Sequence, residues 1–223
     1  MDLWIGVDPK SFQNEMVDFA STVLKKNLEE LDAYTAEEPF FKKSLKPCAA
    51  IETAPEVAKM MAHAGELASA GPMAAKAGIF CELVGKALTE KFEIGELILE
   101  NEGDLYIKLQ NSLIVSIFAG ESDVSGLIGI EIQPEQTPLG VGTAAGKIGT
   151  PMMHGKADAI LIVARNAAVA GAFAVGLGNL IKKPGDVDKV LKRTEVIPEV
   201  EAAVLVFDDQ IGLRGEFELK MIG

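Results

Sequence analysis

Cysteine is almost missing from this chain: Cys48 and Cys81 are the only two among 223 residues. Neither sits in a C-x-x-C pattern, and one pair is too few for a disulfide scaffold. Cys81 falls on an apolar helical face and reads as a small buried hydrophobe. Histidine is equally scarce, with His63 and His154 far apart, so no Cys/His spacing suits zinc. Positive charge is in deficit too. Lys and Arg total 21 against 33 Asp and Glu, a formal net charge of −12. Such a surface repels phosphate backbones and anionic lipid, and no basic run interleaved with aromatics offsets it. Nucleic acid and membrane are therefore not expected partners. An anionic ligand would need a local site of backbone N–H groups, a lysine or a metal.

Long apolar runs are lacking as well. The most apolar stretch, "ARNAAVAGAFAVGLGN", belongs to an uncharged run from Asn166 to Ile181, closed off by Arg165 and Lys182. That is short of the roughly 20 residues a membrane span needs. "MDLWIGVDPK" has neither the basic region nor the apolar core of a secretory leader, and the cytoplasm is the expected compartment.

What the chain does have is apolar mass: 48% of it is hydrophobic, enough for a sizeable core and too much for general disorder. "LWIGV" reads as a strand, and Asp8-Pro9 as the start of a helix carrying Phe12, Met16, Phe19, Val23, Leu28 and Leu31 on one face. "TAEEPFFKKSLKPCAAIE" reads as loop. Thr53 and Glu56 have the spacing of a capping box for a second helix, and Gly71-Pro72 opens a third. "ELILE", "LYIKL", "LIVSIFAG" and "GLIGIEI" read as an antiparallel meander. Residues 134–155, rich in Pro and Gly, show no element. "ADAILIVA" is a strand followed by a helix with Asn166 as N-cap. "GDVDKVLKR", "AAVLVFDD" and "LRGEFELKMI" close the chain as a helix and two strands. Blocks of helices and antiparallel strands give an α+β fold, expected as a single domain over residues 1–223.

Two helices carry a matching stripe. Ala74, Gly78, Cys81 and Gly85 recur as Ala167, Gly171, Ala174 and Gly178, each 93 positions later. The spacing puts each set on one helical face. An interior glycine costs a helix roughly 1 kcal/mol relative to alanine, so close packing has to return the loss. The expectation is two equivalent helices buried on one sheet. It goes with an internal duplication whose halves are about 1–135 and 136–223.

Three segments could carry chemistry. "ENEGDLY" places Asn101, Gly103 and Asp104 in a tight turn whose N–H groups could face an anion, although an ordinary hairpin uses the same residues. "GTAAGKIGTPMMHGKADA" gathers Thr143, Gly146, Lys147, His154 and Lys156 without meeting the Walker A pattern, so functional loop and plain connector both remain open. "AGPMAAKAG" is a helix start bearing Lys76.

The order and wording of "DLWIGV", "PFFKKSLKP", "ETAPEVAKMMAHAGELASAGPMAAKAG", "ILENEGDLYIKL", "IFAG", "GTAAGKIG" and "GKADAILIVARNAAVAGAFAVGLGN" resemble an uncharacterised branch of the ApbE-like superfamily. The likeness runs from Leu3 to about Asn179 and, more weakly, to the end of the chain. Its better-known members are flavin transferases that move FMN from FAD onto a Thr or Ser of a target protein, with Mg²⁺. The resemblance implies a T-fold-like architecture, an antiparallel sheet with packed helices and an internal duplication. It also implies an FAD, FMN or other nucleotide ligand.

The chain departs from that pattern at polar positions. An Asp and a Thr that help hold magnesium in flavin transferases correspond to Gly171 and Val175, neither of which supplies an oxygen ligand. The branch's "ENGGD" is here "ENEGD", with Glu102 replacing a glycine, and two serines of a "TSSG" turn are Ala144 and Ala145. Three readings follow. One is a non-transferring member, structural or regulatory, or binding a small nucleotide- or flavin-type molecule through Asn101, Gly103, Asp104, Thr143, Gly146, Lys147, Lys156 and Lys76. Another is an active Mg²⁺-dependent transferase with replacement ligands, Asp104 and Asp158 being the available carboxylates. The last is a different enzyme on the same fold, using Lys76, Lys147 or His154 as acid or base. Asp158 is the candidate metal ligand, and the apolar bias of the chain suits a homo-oligomer.

Overall fold

The computed structural model describes residues 2–147, 152–208 and 210–222. In chain order the elements are β1 (Trp4–Val7), α1 (Glu15–Glu37), α2 (Pro39–Lys43) and α3 (Glu56–Leu67). A 3-10 turn, Pro72–Ala75, then runs directly into α4 (Lys76–Lys91). Next come β2 (Leu97–Asn101), β3 (Asp104–Lys108), β4 (Leu113–Ser116), β5 (Ile128–Ile132), β6 (Leu139–Ala144) and β7 (Ala159–Ala164). The chain finishes with α5 (Ala167–Gly178), α6 (Val187–Thr194), β8 (Ala202–Phe207), β9 (Gln210–Gly215) and β10 (Glu218–Met221).

Seven strands form one antiparallel sheet in the order β1-β2-β3-β6-β7-β8-β9, and β10-β5-β4 form a second. The helices cover one face of the large sheet and the small sheet covers the other. Alternation along each strand sorts the side chains between these two cores. Leu97, Leu99 and Tyr106 face α1 and α4, while Ile160 and Ile162 face α5 and Ala203 and Leu205 face α6. Ile107, Val141, Leu161, Val163 and Val204 pack instead against Ile128, Ile130 and Ile132 of the small sheet.

Both small-residue stripes are buried. The helices α4 and α5 lie on the same face of the large sheet, α4 over β2 and β3, α5 over β6 and β7. They touch where a Cβ on Gly78 would come within 2.2 Å of the Ala167 carbonyl oxygen. Glu82, one turn further along α4, is fully buried, and its Oε2 accepts the Ala167 N–H at 2.7 Å. Its Oε1 forms an ion pair with Lys86 Nζ at 2.8 Å. A carboxylate thus closes the positive end of α5. Asn166 caps the same helix as expected, accepting the Val169 N–H at 3.1 Å.

Several local expectations are corrected. Asp8 does not cap a helix: its carboxylate accepts N–H groups from Lys10, Ser11 and Glu96, fixing a turn, and α1 begins only at Glu15. No capping box forms at Thr53. The N-cap is Pro55 in an extended conformation, whose carbonyl takes the Ala58 and Lys59 N–H groups. The "PFFKK" part of the expected loop is α2, with proline in its first turn. The meander breaks after β3, because β4 and β5 leave to build the second sheet. "LRGEFELKMI" is divided at Gly215, where φ is +115°, so its ends join different sheets.

The largest omission is β6, inside the segment read as having no element. Its alternate glycines look like turn residues, yet a Cβ on Gly142 would lie 2.1 Å from the Ala170 carbonyl carbon and 2.2 Å from the Gly171 nitrogen. The strand lacks side chains on that face because α5 lies directly on it. The neighbouring atoms are backbone and cannot swing aside. Gly142→Ala should therefore destabilise the protein by about 3 kcal/mol or more. Chemical denaturation will read this as a lower midpoint with little change in slope.

Candidate functional site

The hairpin joining β2 to β3 is a two-residue turn in which Glu102 has φ 51° and Gly103 φ 92°. Both central residues of such a turn need positive φ, which glycine takes freely and glutamate does not. Glu100 supports the turn, its Oε1 accepting the Gly103 N–H at 2.8 Å. Strand alternation then sends the neighbouring polar side chains to opposite faces of the sheet.

Asn101 and Asp104 point into the helical layer. Asn101 is 1% exposed and donates from Nδ2 to the Ala77 carbonyl at 3.0 Å. Asp104 is 3% exposed, and its Oδ1 accepts the Thr143 N–H at 2.9 Å. The Gly78 N–H also favours the charged form of this carboxylate. Cys81 donates from Sγ to the Asp104 backbone oxygen at 3.4 Å, and burial pushes its thiol well above the usual range. Burial likewise lifts the Asp104 carboxyl from 3.8 to about 8, against the opposing pull of the two backbone donors. The other oxygen of this group explains Gly171. A Cβ there would lie 2.2 Å from Asp104 Oδ2. The carboxylate occupies the space that a side chain on α5 would need.

On the other face, between the large sheet and the free edge of β4, is a cavity of about 530 Å³. Gly103, Leu105, Thr143 and Leu161 line one side and Ser116 and Phe118 the other. Its only charged lining residues among those described are Glu100 and Glu102. Phe118 is 75% exposed. A smaller cavity of about 170 Å³ lies in the helical layer beside Ala74 and Val175.

The remaining expected residues separate from this group. Lys147 bridges Asp158 Oδ1 at 2.8 Å and Asp208 Oδ1 at 2.7 Å, and both acids raise its pKa, Asp158 the more. The second oxygen of Asp158 accepts the Asp208 N–H at 2.6 Å, so this buried carboxylate, the candidate metal ligand, has both oxygens engaged. Gly146 donates its N–H to Ala157. Lys156 is exposed, with its N–H bound to the Ile181 carbonyl, and Lys76 is half-buried at the start of α4. Exposed His154 is held through its backbone N–H by Asn179 Oδ1. Residues 148–151 of the same loop lie outside the described residues.

Sequence reasoning missed Glu82, Glu100 and Phe118. Glu82 was detectable in principle, because it lies one helical turn from Gly78 on a face otherwise reserved for small and apolar residues.

A family model described as "AbpE bacteria" matches residues 1–209, and the chain belongs to this family. A UPF0280 protein of Methanopyrus kandleri is 34% identical over 220 residues, covering 96% of this chain and 86% of the relative. A UPF0280 protein of Methanocaldococcus jannaschii is 29% identical over 96% of this chain and 87% of its own length. Among solved structures, the flavin transferase ApbE from Vibrio cholerae superposes with a TM-score of 0.62 at 11% identity, covering 95% of this chain and 92% of that one. The flavinyl transferase ApbE of Pseudomonas stutzeri, in its apo form, gives 0.60 at 12% identity over 96% and 93%. At these identities the likeness establishes the α+β ApbE fold.

Magnesium is the ion the resemblance implies, and it requires near-octahedral oxygen ligation. The oxygens nearest to an ideal Cβ at position 171 are Asp104 Oδ2 at 2.2 Å and the Ala74 carbonyl at 3.6 Å. Asp104 Oδ1 already accepts the Thr143 N–H, and the Val175 side chain adds no oxygen. No group of three or more His, Cys, Asp or Glu that could hold a metal occurs among the described residues. This donor set does not fit magnesium.

Two outcomes follow for the hairpin. Because Asp104 keeps its proton to higher pH when folded than when unfolded, it lowers stability progressively as pH rises from about 4 to about 8, with no further loss above that. Urea titrations across this range should show wild type losing stability relative to Asp104→Asn, which has no such proton. Glu102→Gly removes a left-handed side chain and should stabilise the fold by about 1 kcal/mol, a rise of a few degrees in Tm by calorimetry.

Proposed function

We propose that this ApbE-like protein binds a flavin- or nucleotide-type small molecule in the cavity between its two sheets and does not carry out magnesium-dependent flavin transfer. One observation carries the reading: the space beside Gly171 is filled by the Asp104 carboxylate instead of a ligand side chain on α5. The adjoining helical-layer cavity, about 170 Å³, is below the roughly 300 Å³ at which small-molecule pockets begin. The cavity on the opposite face, at about 530 Å³, is within that range.

Two of the residues expected from the sequence, Gly103 and Thr143, contribute to this larger cavity, and Asp104 reaches it only through its bond to the Thr143 backbone. The binding role thus uses the hairpin and β6. Lys147 and Asp158 are engaged with each other and with Asp208, which supports a structural role for that pair.

The test is incubation with FAD, Mg²⁺ and a peptide bearing an acceptor threonine, followed by mass spectrometry, beside thermal shifts with flavins, nucleosides and nucleotides. The expected result is no covalent FMN on the peptide and stabilisation by at least one of these small molecules. Multiple-turnover transfer of FMN to the peptide would overturn the non-transferring assignment.

A further inference from the structure

We propose that the cavity between the two sheets takes a planar, uncharged heterocycle with a lactam edge and rejects its phosphorylated forms. The inference rests on the ligand-binding reading above and assigns that ligand's chemistry.

Charge supplies the first argument. Glu100 and Glu102 stand on the hairpin side of the cavity, and no Lys, Arg or His lines it among the described residues. Lys147, which follows β6, is held between Asp158 and Asp208 and has no free charge to offer. A phosphate entering here would meet two carboxylates and no cation. Coulomb repulsion at the mouth of a cleft is weakened by salt but not abolished.

Hydrogen bonding supplies the second. Among the described residues β4 is an edge strand, paired with β5 alone. The Ile117 N–H bonds to the Ile128 carbonyl, continuing the register in which Val115 is opposite Ile130. In an antiparallel ladder the intervening residue, Ser116, turns both its N–H and its C=O away from the partner strand. An adjacent donor and acceptor with no strand partner among the described residues therefore stand at the cavity wall. A lactam, with its own N–H beside its C=O, is the matching edge.

Shape supplies the third. Leu105 and Leu161 give the cavity apolar walls, and the exposed ring of Phe118 offers a flat face for stacking.

Riboflavin, FMN and FAD present one ring with no, one and two phosphate groups, the last two anionic, and serve as the probes. Quenching of flavin fluorescence should be titrated for each without magnesium at low salt. Riboflavin is expected to bind at least about tenfold more tightly than FMN or FAD, the order of magnitude that two nearby carboxylates impose. Glu102→Gln and added salt should both narrow the gap. Phe118→Ala should weaken riboflavin binding without lowering Tm. FMN or FAD binding as tightly as riboflavin would overturn this inference while leaving a ligand-binding protein. Unchanged riboflavin affinity in Phe118→Ala would overturn the placement in this cavity. Failure of all three flavins to bind overturns the inference, while the broader reading then stands or falls on the nucleoside and nucleotide thermal shifts.

Discussion

Everything in this protein is arranged around one close approach, the seating of α5 on β6 and against α4 with almost no side chains between them. Three backbone segments meet there: the strand at Gly142, the helix at Ala170 and Gly171, and the start of α4 at Gly78. Contact at this range gains dispersion energy over a large area only if every facing position stays small. The buried Glu82 then ties the first turn of α5 to α4, so the two helices hold their spacing over the sheet. Remove this seat and the hairpin that carries Asp104 loses the floor beneath it.

The same contact explains how polar groups come to lie so deep. Asp104 is at the start of β3, where strand, α4 and α5 converge, and its carboxylate fills the space beside Gly171. Two backbone N–H groups compensate part of its desolvation, and the remainder appears as a carboxyl that titrates near neutrality. Neighbouring Asn101 gives its amide to α4. These residues knit the hairpin to the helices, while Glu100, Gly103 and Thr143 are left to the opposite face and its cavity.

Much of this was legible in the sequence, and the failures share a cause. Strands with alternating or continuous Ile, Leu and Val declared themselves, as did α5 with its Asn166 cap. The small-residue stripes announced burial before any partner was known. β6 stayed hidden because its evidence is negative: "LGVGTA" drops every second side chain, and a strand under a helix then looks like a turn. The helix starts at Asp8 and Thr53 misled because capping residues also make turns, and the sequence does not say which backbone N–H they reach. For the site, "ENEGD" was legible as a polar turn, but its division between two faces depends on the β2–β3 register, which fixes Asp104 on the same side as Tyr106. Lys147 was read as a ligand-binding or acid–base residue and Asp158 as a metal ligand, and only the fold brings them to each other and to Asp208.

The helix α5 has a further property that follows from what it is made of. Of its twelve residues, eight are alanine or glycine, side chains with no rotamers to freeze when the protein folds. Its docking therefore gives up mainly backbone freedom, and the small-residue stripe it presents has a single shape at every temperature. Such a surface cannot adjust by switching rotamers when a neighbour changes. Sequence drift around it is thus confined to substitutions that leave the backbone path untouched, whatever the rest of the core can absorb.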